Sequence, residues 1–308
     1  MTCTMLRQIV QKIAFIILVL ITIIFFVHMG MRMVHNSVAL EPNYDLVQYG
    51  QLAWVDTRAY LTNLVHGDLG TVRTNGVAQP IRDIVVESYI NSMGLLLAAL
   101  VLATVLGLWA GSTMALTKRK RFITLLLALT LLGMSLPAFF GGLLLQRAEI
   151  WYVARGGKPL VSIAGFGWDM KHMLLPVIVL AARPLAQLTR TSFVSLDHTM
   201  KEDYIQTAYS KGLSTSRTVN RHAMKNIAIP FLTAVGVSLR FSLSALPIVE
   251  FFFAWPGIGL LMLQAISLRQ TTLVVTLALI LGATFLLLNL ILDISYWMID
   301  PRIRNKSE

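Results

Sequence analysis

The chain has 308 residues, of which 56% are hydrophobic and only 13% are charged, and its formal net charge is +11. A water-soluble domain carries roughly 25% charged residues, so this composition excludes both a soluble globular fold and a disordered chain. The single cysteine, Cys3, excludes an internal disulfide and a multi-cysteine metal site. The composition therefore predicts an integral membrane protein.

Five apolar stretches are long enough to cross a bilayer as helices, because a span needs about 20 residues that each rise ~1.5 Å. These stretches are Ile13–Met29, Met93–Leu116, Phe122–Leu145, Ile227–Val249 and Thr272–Met298. A sixth stretch, Met173–Ala182, is short, contains Pro176 and is followed closely by Pro184. We expect Ile13–Met29 to be retained rather than removed as a signal peptide, since its apolar core is long and no small-residue cleavage pattern follows it.

The distribution of Lys and Arg decides between five and six spans. With six spans and both termini inside, the inner segments hold 16 Lys and Arg and five acidic residues, and the outer segments hold nine of each. The inner segments are then 1–12, 117–121, 183–226 and 299–308, and the outer segments are 30–88, 146–171 and 250–271. Lys and Arg accumulate in cytoplasmic loops, an asymmetry that five spans would destroy. The sequence therefore predicts an all-α integral membrane bundle of six transmembrane helices with both termini cytoplasmic.

This topology divides the chain into four regions. An N-terminal tail and the first transmembrane helix occupy residues 1–29, and an extracytoplasmic cap occupies residues 30–88. A core of five transmembrane helices follows over 89–298 and includes a cytoplasmic loop at 183–226. Residues 299–308 form a cytoplasmic tail.

Small residues recur at every fourth position of the second predicted span, namely Ala99, Ala103, Gly107, Gly111 and Ala115. Such a stripe lets two helix backbones approach closely in lipid. The sequence therefore predicts a helix-packing face, either within the subunit or against a partner. Pro137 in the third span and Pro176 in the fourth predict kinked helices.

Arg240 lies near the centre of the fifth predicted span, where an isolated charge usually faces protein or water. Asp293 is an unsuitable partner, because it lies about 7 Å from the cytoplasmic end of its helix whereas Arg240 lies about 20 Å from it. We hypothesise that Arg240 lines an aqueous path and attracts anionic groups, with Glu250 as a second candidate for that path. The alternative is that Arg240 reaches the outer headgroups or a backbone carbonyl.

The loop 183–226 contains a short amphipathic helix. Ile205, Ala208, Gly212 and Leu213 lie at helical spacing among charged residues, and Gly212 can end the helix because glycine readily adopts a positive φ. Such a helix either lies on lipid or presents its small-residue face to a soluble partner. The pair Ala208 and Gly212 favours the partner, since burial in lipid would favour larger apolar side chains.

The same segment resembles the cytoplasmic loop of permease subunits from ATP-binding-cassette importers of the dipeptide, oligopeptide and nickel branch. EDYIQTAYSKGL at 202–213 and RHAMKN at 221–226 fit the patterns D-Y-x-x-T-A-x-x-K-G-L and R-H-A-x-x-N of that branch. The chain departs at Gln206 and Thr207 from the more general E-A-A-x-x-x-G pattern, and these departures match the branch.

Four further stretches resemble elements of the branch: NLVHGDLGTV (63–72), HMLLPVIVLA (172–181), VEFFFAWPGIG (249–259) and DPR (300–302). Two departures bear on the substrate. Arg269 is followed by QTT where the branch commonly has D-Y-P, and the first outer loop lacks the usual P-G-D-P.

The resemblance implies the six-helix bundle of a type I importer permease and a helix at 205–214 that couples the chain to an ATPase. The coupling residues would be Tyr204, Ile205, Thr207, Ala208, Lys211, Gly212, Leu213 and Ser214. The implied partners are two ATP-binding-cassette ATPases, a second, homologous permease subunit, an extracytoplasmic substrate-binding protein and membrane lipid. ATP and Mg would be bound by the ATPases, with no cofactor on this chain. The expected substrate is a peptide, and the expected location is the cytoplasmic membrane of a bacterium or archaeon.

Other functional classes fit the sequence less well. The chain has no P-loop, and it contains neither the H-E-x-x-H nor the G-x-S-x-G motif that an intramembrane hydrolase would use, so no catalytic or metal-binding residue is predicted. A secondary transporter or channel is the main alternative, but it would need intramembrane carboxylates or histidines, of which only Asp293 qualifies. The positive charge does not predict nucleic-acid binding, because the run Lys118–Arg121 abuts two spans.

Overall fold

The computed structural model describes residues 3–36, 46–74 and 77–299, with side chains over 10–34, 46–73 and 77–295. The predicted C-terminal tail after residue 299, including DPR at 300–302, lies outside the described residues. Within them the chain is mainly α-helical and has one two-stranded antiparallel sheet.

The helices are α1 (Cys3–Asn36), α2 (Leu46–Val65), α3 (Ile81–Leu116), α4 (Lys120–Ser135), α5 (Ala138–Ala154), α6 (Met170–Thr199), α7 (Asp203–Ser210), α8 (Thr215–Thr218), α9 (Met224–Phe253), α10 (Ile258–Ser267) and α11 (Thr271–Ile299). A π-helical turn, Val219–Ala223, joins α8 to α9. The strands β1 (Thr71–Thr74) and β2 (Val77–Pro80) pair with Thr71 opposite Pro80.

Five helical stretches are long and apolar enough to cross a membrane alone: Val10–Val34, Ile81–Leu116, Met170–Thr199, Thr215–Phe253 and Thr271–Ser295. The helices α4 and α5 pass the same test only as a pair, and they are bent by 110° at the break between them. Pro137 favours this break, because proline disfavours the helical conformation of the residue before it, and Leu136 is extended with φ −74° and ψ 125°. If this pair counts as one span, the described residues contain the six predicted spans, and the kink expected at Pro137 is confirmed.

The segment 183–226, predicted as a loop, is mostly helical. The fourth span does not end near Ala182: α6 continues to Thr199 with Pro176 and Pro184 inside it. Neighbouring helices permit this, since 56% of the most apolar window of α6 is buried within the protein. The connection from α6 to the next long helix is therefore only residues 200–214, and it contains α7.

One compact unit contains α1, α2, both strands, α3 up to residue 91, and residues 256–295. An apolar core of this unit includes Ile81, Ile258 and Leu277, each at most 1% exposed. The second span thus begins as a helix at Ile81 rather than Met93, and the predicted cap 30–88 includes α2 and the two strands.

The second compact unit contains residues 92–255. In it α6 packs against α9 and α4, and α5 packs against α6 and α9. The unit therefore places two long helices, α6 and α9, side by side, with the short helix α7 in the chain between them.

Candidate functional site

The short helix α7 ends in a glycine-dependent turn. The N–H of Leu213 donates to the carbonyl of Ala208 at 3.3 Å, and the N–H of Gly212 donates to the carbonyl of Tyr209 at 2.8 Å. This pair of bonds is the Schellman arrangement, which requires a left-handed residue, and Gly212 has φ +78°. The helix end predicted at Gly212 is thus confirmed, although α7 itself runs over Asp203–Ser210.

One face of α7 is buried against the two long helices of its unit. Ile205 is 0% exposed and forms an apolar cluster with Leu196 of α6, with Ala223, and with Ile227 of α9. Ala208 lies on the same buried face and is 6% exposed. The expectation that Ala208 presents a small-residue face to a partner is therefore wrong, because the i, i+3 pair of Ile205 and Ala208 packs inside the chain.

A polar contact also fixes the start of α7. The side-chain amide of Asn226 donates a hydrogen bond to the hydroxyl of Tyr204, although the two residues are 22 positions apart. Asn226 and Ala223 both belong to the RHAMKN stretch, so this motif holds α7 against the beginning of α9. The sequence indicated both the α7 segment and the RHAMKN stretch, but it did not predict that they contact each other. The periodicity of a helix does not identify the distant residues that pack against it.

The other face of α7 is open to solvent and carries most of the remaining predicted coupling residues. Thr207, Lys211, Gly212 and Ser214 are exposed, and Leu213 is half-buried. Additional cations lie exposed nearby in sequence, namely Lys201, Arg217, Arg221 and Lys225. In the part of the chain described here, no group of three or more His, Cys, Asp or Glu residues could hold a metal ion. This geometry suits contact with another protein: one side is anchored and the other is accessible.

The small-residue stripe of α3 lies against α6. Ala99 and Ala103 are 0% exposed. A Cβ added at Gly107 would lie 2.7 Å from the Cβ of Leu188, and one added at Gly111 would lie 2.5 Å from the carbonyl oxygen of Thr189. Because carbon atoms normally stay 3.5–4.0 Å apart, the two backbones can approach this closely only without a side chain on α3.

The two residues proposed for the aqueous path occupy different environments. Arg240 is half-buried near the middle of α9, and its Nε has no hydrogen-bond partner among the described residues. Glu250 is 0% exposed and accepts a hydrogen bond from the hydroxyl of Ser92, so it cannot contact a substrate in this conformation. Asp293 forms an ion pair with Lys12, with 2.7 Å between Nζ and Oδ2. This agrees with the expectation that Asp293 lies at too different a depth in the membrane to pair with Arg240.

The turn after α9 is closed by aromatic side chains. Trp255 is 0% exposed, and its ring meets those of Phe166 and Trp168 edge to face at centroid distances of 4.9 and 5.6 Å. Ala254 adopts a left-handed conformation with φ +49°, which lets the N–H of Trp255 reach the carbonyl of Glu250 at 2.9 Å. The tight bend predicted in AWPGIG is present, and its tryptophan is a packing residue.

A carboxylate caps the start of α6 in the same unit. Asp169 accepts hydrogen bonds from the backbone N–H groups of Lys171 and His172, and its Oδ2 lies 2.8 Å from the His172 Nδ1. The contact with the His172 side chain and these backbone bonds lower the pKa of Asp169 below its ordinary value. The capped end fixes where α6 begins, and thereby the position of its midpoint.

Comparison with known proteins agrees with this architecture. Residues 103–305 match the family described as the binding-protein-dependent transport system inner membrane component, and the chain belongs to that family. It is 31% identical over 274 residues to the dipeptide transport system permease protein DppB of Alkalihalophilus pseudofirmus, a match that covers 82% of this chain and 81% of the relative. It is also 31% identical over 250 residues to the glutathione transport system permease protein GsiC of Escherichia coli strain K12, covering 80% and 78%, respectively. The GsiC protein of Salmonella paratyphi A is 30% identical over the same length.

The chain is therefore an inner-membrane permease component of an ATP-binding-cassette importer. It is not the enzyme of the system, because ATP hydrolysis in such importers belongs to separate ATPase subunits. The family resemblance drawn from the cytoplasmic segment and the four further stretches is thus confirmed.

Proposed function

We propose that α7 and the residues that follow it to 214 dock on the ATPase subunit and transmit its movement to the transmembrane helices. Support comes from the two-sided character of α7: Ile205 is fully buried against α6 and α9, while Thr207 and Lys211 are exposed. A packed core is close to incompressible, so a partner that displaces the exposed side also displaces the long helices.

Thiol labelling and cross-linking test where α7 lies. Thr207→Cys and Thr62→Cys, both at exposed threonines, are made in a Cys3→Ser background so that each chain has one thiol. In intact cells a membrane-impermeant reagent should modify position 62, in the extracytoplasmic cap, and modify position 207 only after permeabilisation. Position 207, but not 62, should cross-link to the ATPase. Labelling of position 207 from outside would refute both the docking and the cytoplasmic orientation of the termini.

A substitution at Gly212 tests whether α7 transmits movement from the ATPase to the transmembrane helices. Gly212→Ala forces an L-residue into φ +78°, which costs roughly 1–2 kcal/mol and loosens the end of α7. We expect import per ATP hydrolysed to fall severalfold while basal hydrolysis continues. Gly156→Ala is the matched control, since Gly156 has φ +87° and, like Gly212, has nothing within 4 Å of an added Cβ. If Gly212→Ala and Gly156→Ala import equal amounts of substrate per ATP hydrolysed, the proposal is contradicted.

We further propose that the chain forms half of a translocation path for small peptides. The relatives named for dipeptide and glutathione transport support this substrate class, since both cargoes are short peptides. The other half would come from a second, homologous permease subunit, two ATPases would bind ATP and Mg, and a binding protein would dock on the cap. Arg240 would line the path. Native mass spectrometry of the purified assembly should give this stoichiometry, and its proteoliposomes should import labelled dipeptide or glutathione only with the binding protein present.

A further inference from the structure

Arg183 lies about midway along α6, a position that the sequence assigned to a cytoplasmic loop. Its Cα is about 20 Å along the axis from the first residue of the 30-residue helix, so it falls within the hydrocarbon depth of a span. Arg183 is exposed on the surface of this chain, and no acidic side chain pairs with it among the described residues. An arginine at that depth needs protein, water or an anion around it.

The guanidinium group of Arg183 lies beside a small cavity. Its Cζ is 4.0 Å from the centroid of the Phe241 ring, a cation–π contact that holds the charged group in place. The cavity measures about 100 Å³, and Pro137 and Ser242 also line it. A water molecule occupies roughly 30 Å³, so this volume accommodates a carboxylate group or a few waters and not a whole peptide.

A buried hydroxyl adds polarity to this cavity, although apolar residues form most of its lining. Ser242 is 2% exposed, and its hydroxyl has no hydrogen-bond partner among the residues that the structure describes. A buried hydroxyl without a partner costs free energy, which a ligand that accepts its hydrogen bond would recover.

We propose that this cavity binds a carboxylate of the transported molecule, with Arg183 and the hydroxyl of Ser242 as donors. The inference rests on the proposed peptide import and adds a specific contact to it. Arg183 donates charge-assisted hydrogen bonds to the carboxylate, Ser242 donates a third, and Phe241 keeps the guanidinium in position. Arg240 precedes Phe241 on α9 and adds positive potential at the same depth. The path through this subunit would thereby favour substrates with a free carboxylate.

Transport by the reconstituted full assembly tests this proposal. With a dipeptide as probe, Arg183→Gln should lower the maximal import rate about tenfold, because a hydrogen bond to a charged group is lost. Arg183→Lys should retain an intermediate rate. Arg190→Gln is the matched control, since Arg190 is an exposed arginine on the same helix that does not line the cavity. The dipeptide with an amidated C-terminus, loaded on the binding protein, should be imported equally by wild type and Arg183→Gln. An equal loss for acid and amide would overturn the proposal.

A second measurement does not depend on the cargo. In a Cys3→Ser background, Ser242→Cys should react with an anionic methanethiosulfonate faster than with a cationic one, and Arg183→Gln should reduce this preference about tenfold. Free dipeptide should slow the reaction. The proposed site would be refuted if the cysteine at position 242 reacted with neither reagent. It would also be refuted if Arg183→Gln left the preference for the anionic reagent unchanged. If wild-type proteoliposomes import no peptide, the peptide proposal fails by itself, and the labelling result still decides whether the cavity attracts anions.

Discussion

Replacement of Gly111 by alanine tests how closely α3 approaches α6. The new Cβ would lie 2.5 Å from the carbonyl oxygen of Thr189, 2.5 Å from the Cβ of Ser192 and 2.9 Å from the backbone nitrogen of Phe193. Two of these three atoms belong to the backbone of α6, so no side-chain rotation can relieve the contact. The helices must move apart by about 1 Å to restore normal separations.

The expected loss of stability is the difference between two terms. Inserting an extra carbon into a packed interface costs typically 1–3 kcal/mol, and alanine is more favourable than glycine inside a helix by about 1 kcal/mol. Because two of the three contacted atoms belong to the backbone, the first term is about 2–3 kcal/mol here, and the net destabilisation of Gly111→Ala is about 1–2 kcal/mol. For a unit of 150–250 residues this corresponds to a fall in Tm of roughly 2–8 °C.

Gly141 provides the control for this experiment. It lies inside α5, and nothing lies within 4 Å of a Cβ added there, so Gly141→Ala should gain the helix-propensity term alone and raise the Tm slightly. Thermal unfolding of the purified variants in one detergent, followed by tryptophan fluorescence, measures both changes. A Gly111→Ala protein as stable as wild type would show that α3 and α6 are not in this close contact.

Three further substitutions have defined outcomes. Ala254→Gly should stabilise the protein by about 0.5–1 kcal/mol in the same unfolding assay, because glycine removes the strain of an L-residue at φ +49°, and a loss of stability would contradict that backbone conformation. Ile205→Ala should cost about 2–5 kcal/mol of local packing and increase hydrogen exchange in α7, whereas unchanged exchange would contradict its anchoring role. The hydrogen bonds from Arg32 lower the pKa of Asp56, so their stabilisation is present above the ordinary carboxyl pKa of about 4 and is lost as the pH falls through the lowered value. Wild type should thus lose more Tm than Asp56→Asn between pH 5 and pH 3, and parallel losses would count against this ion pair.

Local sequence signals determined several parts of the structure. The freedom of glycine at positive φ marked the end of α7 at Gly212, and the loss of an N–H at Pro137 marked the break in the third span. The stripe containing Gly107 and Gly111 indicated a close helix contact, although it did not identify α6 as the neighbour. Each of these features depends on one residue type or on one helical period, which a sequence displays directly.

Features that depend on distant residues could not be predicted in this way. Arg183 and Pro184 suggested the end of a span, yet α6 continues through both because its neighbours cover more than half of its most apolar window. Ala208 suggested a contact face for a partner, yet the cluster that contains Leu196 and Ile227 draws that face of α7 inward. In both cases the packing of other helices overrides the local pattern.

The position of Ile205 has a consequence for the timing of transport. Its side chain packs against residues of α6 and α9 at once, so a displacement of the eight-residue helix α7 would reach both long helices together. Arg183 of α6 and Phe241 of α9 would then move together, so their contact and the cavity beside it would be carried along with α7. Under the proposed docking, a displacement of α7 by the ATPase would therefore shift the carboxylate-binding cavity in the same event, without any additional hinge.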